Sequence, residues 1–148
     1  MDGTMARSEQ ETTDRGTIER EMFINAPPRI VFAYFVDPER IVRWMGRTAD
    51  FDPRPGGTWR IDYNGADIAR GEVVEIDPPR RLVYTWGWED PKEVVRPGGS
   101  TVEVTLTPDG DGTRLHLRHS GLPEAEVAAH AQGWDQFLPK LPDAVNAG

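Results

Sequence analysis

The chain of 148 residues has no cysteine. That excludes disulfides, thiolate metal ligands and cysteine nucleophiles. Lysine is nearly absent too, with two against 15 arginines, an imbalance that points to the codon usage of a GC-rich bacterial gene. Positive charge is in short supply overall, since 17 Lys and Arg face 25 Asp and Glu for a net charge of −8. A basic surface for nucleic acid or an anionic membrane is therefore not expected. No apolar run approaches the roughly 20 residues that span a bilayer, and the N-terminus lacks the apolar stretch of a signal peptide. A cytoplasmic protein without nucleic-acid or membrane partners is expected. The length suits one domain with a core of its own.

Aromatic residues are concentrated where they matter. Residues 82–88 read Leu-Val-Tyr-Thr-Trp-Gly-Trp. Side chains alternate on a strand, so Leu82, Tyr84, Trp86 and Trp88 share one face. Such a face is either the core side of a sheet or the wall of a ligand cavity, because Tyr and Trp combine an apolar body with a polar tip.

Around this strand the pattern gives an ordered series of elements. Residues 1–16 are polar and aperiodic, which predicts a disordered tail ahead of a single domain over 17–148. A first strand is expected over Thr17–Ile24, with Ile18, Met22 and Ile24 inward. A helix follows over Arg29–Val36, with Asn25 as its cap and Ile30, Val31, Tyr34 and Phe35 at helical spacing. Asp37-Pro38 starts a second short helix, which Gly46 ends. Strands are then expected near 49–52, 58–63, 68–76, 82–88, 101–107 and 113–119, with Asn64-Gly65 and Asp109-Gly110-Asp111-Gly112 as hairpin turns.

The chain closes on one long amphipathic helix over 123–138, with Val127, Ala131, Trp134 and Leu138 facing the sheet. Pro139 and Pro142 are expected to kink or fray whatever follows. Gly133 lies inside this helix at a cost of roughly 1 kcal/mol relative to Ala. It makes sense there if a sheet or a ligand must approach the backbone. The sum is an α+β, two-layer arrangement.

Several segments resemble a known family. They are Val36–Gly46 (VDPERIVRWMG), Pro55–Trp59 (PGGTW), Glu75–Leu82 (EIDPPRRL), His119–Pro123 (HSGLP) and His130–Leu138 (HAQGWDQFL). Their order and identity are similar to the activator-of-Hsp90-ATPase homologue family of the START/Bet v 1-like (SRPBCC) superfamily, over about residues 17–141. The resemblance implies a helix-grip fold, in which a curved antiparallel sheet wraps round a long C-terminal helix and two short helices follow the first strand. It implies much less about function. The superfamily includes lipid carriers, polyketide cyclases, hormone receptors and proteins of antibiotic resistance, and the chaperone role of the eukaryotic namesake involves a further domain.

Residue chemistry narrows the choice. His116 and His119 lie three apart on one strand and point to opposite faces, so no metal site is expected, and no cofactor. Ser120 has no Gly-x-Ser-x-Gly elbow. Parity gives a cavity walled by Trp59, Tyr63, Tyr84, Trp86, His119, His130 and Trp134, with Trp44 and Met45 near its mouth. The plainer readings are a strand-end His119 bonded to its turn and a His130 packed beside Trp134. If there is catalysis, His119 is the first candidate for the acid–base group. Binding is favoured over catalysis, with a small apolar or aromatic ligand as partner and a monomer or weak homodimer as the assembly. A link to natural-product metabolism or resistance fits this reading. The alternatives are a polyketide cyclase-type enzyme using the same cavity and a chaperone-interaction module.

Overall fold

A computed structural model of the protein describes residues 16–148. Of the expected tail, residues 1–15 lie outside the described residues, and Gly16 accepts a hydrogen bond at its carbonyl from the Leu122 N–H at 3.1 Å. The strands are β1 (Ile18–Ile24), β2 (Thr48–Phe51), β3 (Thr58–Asp62), β4 (Ile68–Asp77), β5 (Arg81–Trp88), β6 (Ser100–Asp109) and β7 (Gly112–Ser120). They form one curved antiparallel sheet in the order β1-β7-β6-β5-β4-β3-β2. The helices are α1 (Pro28–Val36), α2 (Pro38–Ile41), α3 (Val127–Phe137) and α4 (Lys140–Ala147), with a 3-10 turn at Glu124–Glu126. This is the helix-grip arrangement.

Alternation decides which side chains enter the core. Val102, Val104 and Leu106 of β6 meet Leu115, Leu117 and His119 of β7 on one buried face. Trp59 and Ile61 of β3 and Leu82, Tyr84 and Trp86 of β5 continue it. Each large apolar side chain removed from water in this way contributes about 1.5–3 kcal/mol. The register of β4 against β5 shifts between Val73 and Glu75. There the Glu72 N–H donates to the Thr85 hydroxyl at 2.9 Å, so the irregularity leaves that donor satisfied.

The helices depart from expectation in four places. Asn25 does not cap α1; Pro27 stands at the N-cap and Pro28 in the first turn. Neither proline has an N–H to be capped. The buried side of α1 is Val31, Phe32, Tyr34 and Phe35, while Ile30 is 39% exposed. The expected cap of α2 is present, with Asp37 accepting from the Glu39 N–H at 3.1 Å, but the helix ends at Ile41 with Val42 as its C-cap, and the chain reaches Gly46 through turns.

The fourth departure is the C-terminal segment. It is two helices, because the chain breaks at Leu138-Pro139 and then forms α4 instead of fraying. Pro139 is the N-cap of α4 and Pro142 lies in its first turn, positions where a missing N–H costs no helical bond. Leu141, Ala144 and Val145 bury the new helix, and the Tyr34 hydroxyl donates to the Ala144 carbonyl at 3.2 Å to tie it to α1. The loop over 91–99 is mostly exposed but carries a buried Val95. It folds back on β5 so closely that a Cβ on Gly87 would overlap the Arg96 carbonyl.

Candidate functional site

A cleft of about 630 Å³ opens between one side of α3 and the ends of β3 and β5. That volume is within the usual range for small-molecule sites. Each wall follows from strand or helix periodicity. Trp86 and Trp88 come from β5 two residues apart, and Tyr63 stands just past β3. Trp44 and Met45 come from the turn after α2, and His130, Trp134 and Phe137 from α3. The rings contact one another. Trp86 and Trp88 meet edge to face at 4.7 Å, and Tyr63 meets Trp88 at 5.9 Å and Phe137 at 5.3 Å. At the rim Lys140 Nζ sits 5.4 Å from the centre of the Phe137 ring, a cation–π contact.

The polar tips of these rings are used up inside the protein. Trp134 Nε1–H donates to His119 Nδ1 at 3.0 Å. His119 Nε2–H must then be the donor to Ser100 Oγ at 2.8 Å, and Ser100 Oγ–H donates to the Trp86 carbonyl at 2.9 Å. A second relay lies beside the first. Trp88 Nε1–H donates to His130 Nε2 at 3.1 Å, and His130 Nδ1–H donates to the Glu126 carbonyl at 2.7 Å. The two imidazoles are thus opposite tautomers, their rings 6.0 Å apart and nearly perpendicular.

Burial sets the electrostatics. It pushes His119 down to about 3, with the nearby His130 adding to the effect. Burial raises the Tyr63 hydroxyl, against which a hydrogen bond from the Trp86 indole acts. Tyr84 is raised by burial first and by the neighbouring Tyr63 second. None of these groups is poised to exchange a proton near neutrality. On the outer side Arg20 of β1 holds Asp135 of α3 through two bonds, Nε to Oδ1 at 2.7 Å and Nη2 to Oδ2 at 3.1 Å. The Arg20 hydrogen bond keeps the Asp135 carboxyl below the ordinary range.

The structure thus places Trp44, Met45, Tyr63, Trp86, His130 and Trp134 around the cleft. Trp59, Tyr84 and His119 are set behind its wall, which corrects their expected position. Trp59 is 2% exposed, packs edge to face on Tyr84 at 5.2 Å and donates its indole N–H to the Thr85 carbonyl at 2.9 Å. His119 is fully buried. His116 stands elsewhere, 3.6 Å from Glu19. Among the described residues no cluster of three or more His, Asp or Glu is arranged to hold a metal ion.

Two aromatic side chains of the cleft, Trp88 and Phe137, stand outside the expected set of wall residues. Trp88 shares the face of Trp86, and that was the available signal. Phe137 lies one helical turn from Trp134. Gly133, at the same wall, has no atom within 4 Å of where its Cβ would stand, so the sheet does not approach it.

Comparison with known proteins places these features in a context. The family described as Activator of Hsp90 ATPase homolog 1-like protein matches residues 25–146. The solution structure of an AHSA1-like protein from Rhizobium etli is 47% identical, with a TM-score of 0.69 over 87% of this chain and 81% of that one. DynU16, a protein of the dynemicin biosynthetic locus, is 27% identical with a TM-score of 0.76, over 88% of this chain and 47% of that one. The Hsp90 co-chaperone AHA1 of Saccharomyces cerevisiae is 26% identical over 115 residues, which is 74% of this chain and 31% of that protein. The chain spans about a third of the length of the curated relatives it matches.

Proposed function

The chain belongs to the Activator of Hsp90 ATPase homolog 1-like family, and from that premise we propose that it is a small-molecule binding protein whose cleft takes an apolar or aromatic ligand. One observation carries this reading. The indole N–H groups of Trp88 and Trp134 are both spent on histidines, so these rings turn their polar tips away from the cleft, while Arg43, Asp67, Glu93, Glu126 and Lys140 supply charge elsewhere along it. The ring faces on this wall can stack a flat apolar or aromatic ligand.

The same relays weigh against the cyclase-type reading. A general acid or base has to reach its substrate and titrate near the working pH. His119 lies behind the wall, and both nitrogens of His130 are engaged. A chaperone-interaction role draws support from the resemblance to the yeast co-chaperone, but a filled core would suit it better than an aromatic cleft. The likeness to DynU16 supports a place in natural-product metabolism or resistance.

The deciding experiment is native mass spectrometry of protein purified from its own host. A bound small molecule of apolar or aromatic character is the expected result. If the protein is recovered empty, and its tryptophan emission does not move on titration with apolar aromatic dyes, the binding reading fails.

A further inference from the structure

We infer that Gly133 is a specificity-determining position of the cleft, kept bare so that the edge of a flat fused-ring ligand lies against the backbone of α3. This rests on the binding reading above and adds to it the shape of the ligand. Every other glycine among the described residues either has a positive φ or would drive a Cβ to within 2.8 Å of a neighbouring atom. Gly133 does neither. It is helical, and a Cβ there would meet nothing within 4 Å. Helix propensity disfavours it, so the folded chain by itself would gain from a side chain at this position.

What the missing side chain leaves is a gap in the cleft wall. Residues three and four apart share a helix face, so Gly133 sits between the rings of His130 and Phe137, and all three line the cleft. Across from them stand Trp86 and Tyr63. Any side chain at 133 would occupy the space that a ring would need to reach the helix backbone. From His130 to Phe137 the helix rises about 10 Å, a length that a fused-ring system covers and a single ring does not. The indole N–H groups of Trp88 and Trp134 are turned away, which leaves ring faces for a flat plate to lie on.

The test uses the full chain, the neutral dye N-phenyl-1-naphthylamine, and four proteins: wild type, Gly133→Ala, Gly133→Leu and Ala128→Leu. Ala128 is exposed on the same helix and is not part of the cleft, so it controls for added bulk. Fluorescence titration should show wild type and Ala128→Leu binding alike and Gly133→Leu binding about tenfold or more weakly. Thermal melts should show Gly133→Ala gaining roughly 2–8 °C. A fall in Tm for Gly133→Ala would mean that the fold needs the glycine and would overturn the inference. Wild-type affinity in Gly133→Leu would overturn it as well, with the cleft reading left standing. No dye binding by the wild type overturns the cleft reading itself, and this inference with it, before any variant is compared.

Discussion

Trp134 and His119 are joined by a hydrogen bond that runs in one direction only, from the indole N–H to imidazole Nδ1 at 3.0 Å. Indole cannot accept, so the imidazole must, and it can do so only while Nδ1 carries no proton. The bond ties α3 to β7 and holds His119 neutral.

Acid should undo that arrangement gradually. His119 stays near 3 in the folded protein and returns to about 6.5 when the chain unfolds. Between those limits the unfolded chain binds the extra proton. The stabilisation is therefore complete above pH 6.5 and is lost as the pH falls toward 3, at up to about 1.4 kcal/mol per pH unit. Urea denaturation at a series of pH values should show a shallower loss in His119→Gln than in the wild type. Equal slopes would mean that His119 is not the buried neutral group described here.

The donor can be removed without removing the ring. Trp134→Phe leaves His119 Nδ1 without a partner at a fully buried position. Leaving a buried polar atom unsatisfied costs about 1–3 kcal/mol, beyond the small loss of ring area. The midpoint of chemical denaturation is the readout, and an unchanged midpoint would refute the assignment.

The outer clamp of α3 should matter far less. Arg20 and Asp135 pair twice, but their side chains are 36% and 56% exposed. Exposed pairs contribute about 0–1 kcal/mol. Asp135→Asn should therefore lower stability by less than about 1 kcal/mol, and the difference from wild type should shrink in molar salt. A larger effect, insensitive to salt, would mean that the clamp is shielded from solvent.

Pro142 tests the break between α3 and α4. A proline in a helix interior costs about 3 kcal/mol, so replacing it there would give a large gain. In the first turn of α4 it costs no helical bond. Pro142→Ala should change stability by less than about 1 kcal/mol in thermal or chemical denaturation. A gain near 3 kcal/mol would indicate one continuous, strained helix.

Much of this architecture can be read from the chain, and the places where reading fails have physical causes. The alternation of Val102, Val104 and Leu106 identifies a half-buried strand because strand periodicity is two and only one face is dry. Parity, however, names a face and says nothing of position along it. Trp59, Tyr84 and Trp86 share a face, yet Trp86 reaches the cleft while Trp59 and Tyr84 end in the core. What separates them is the distance of each from the open end of the sheet, a property of the assembled fold. Pro139 and Pro142 illustrate a different ambiguity: a proline that ends one helix is equally suited to begin the next. The helix-grip outline, by contrast, was legible twice, from periodicity and from the motifs shared with the family.

Strand order also governs how the chain can be assembled. Strands β3 to β7 are each laid beside the one made before, so their pairings close over short stretches of chain. β1 is different. All seven of its residues pair with β7, near the opposite end of the domain. The entropy of closing that long loop must be met before the contacts reward it, and domains dominated by such distant pairings fold in milliseconds to seconds. During synthesis the first strand to leave the ribosome waits for the last before it finds its partner, with Ile18 and Ile24 uncovered until β7 arrives.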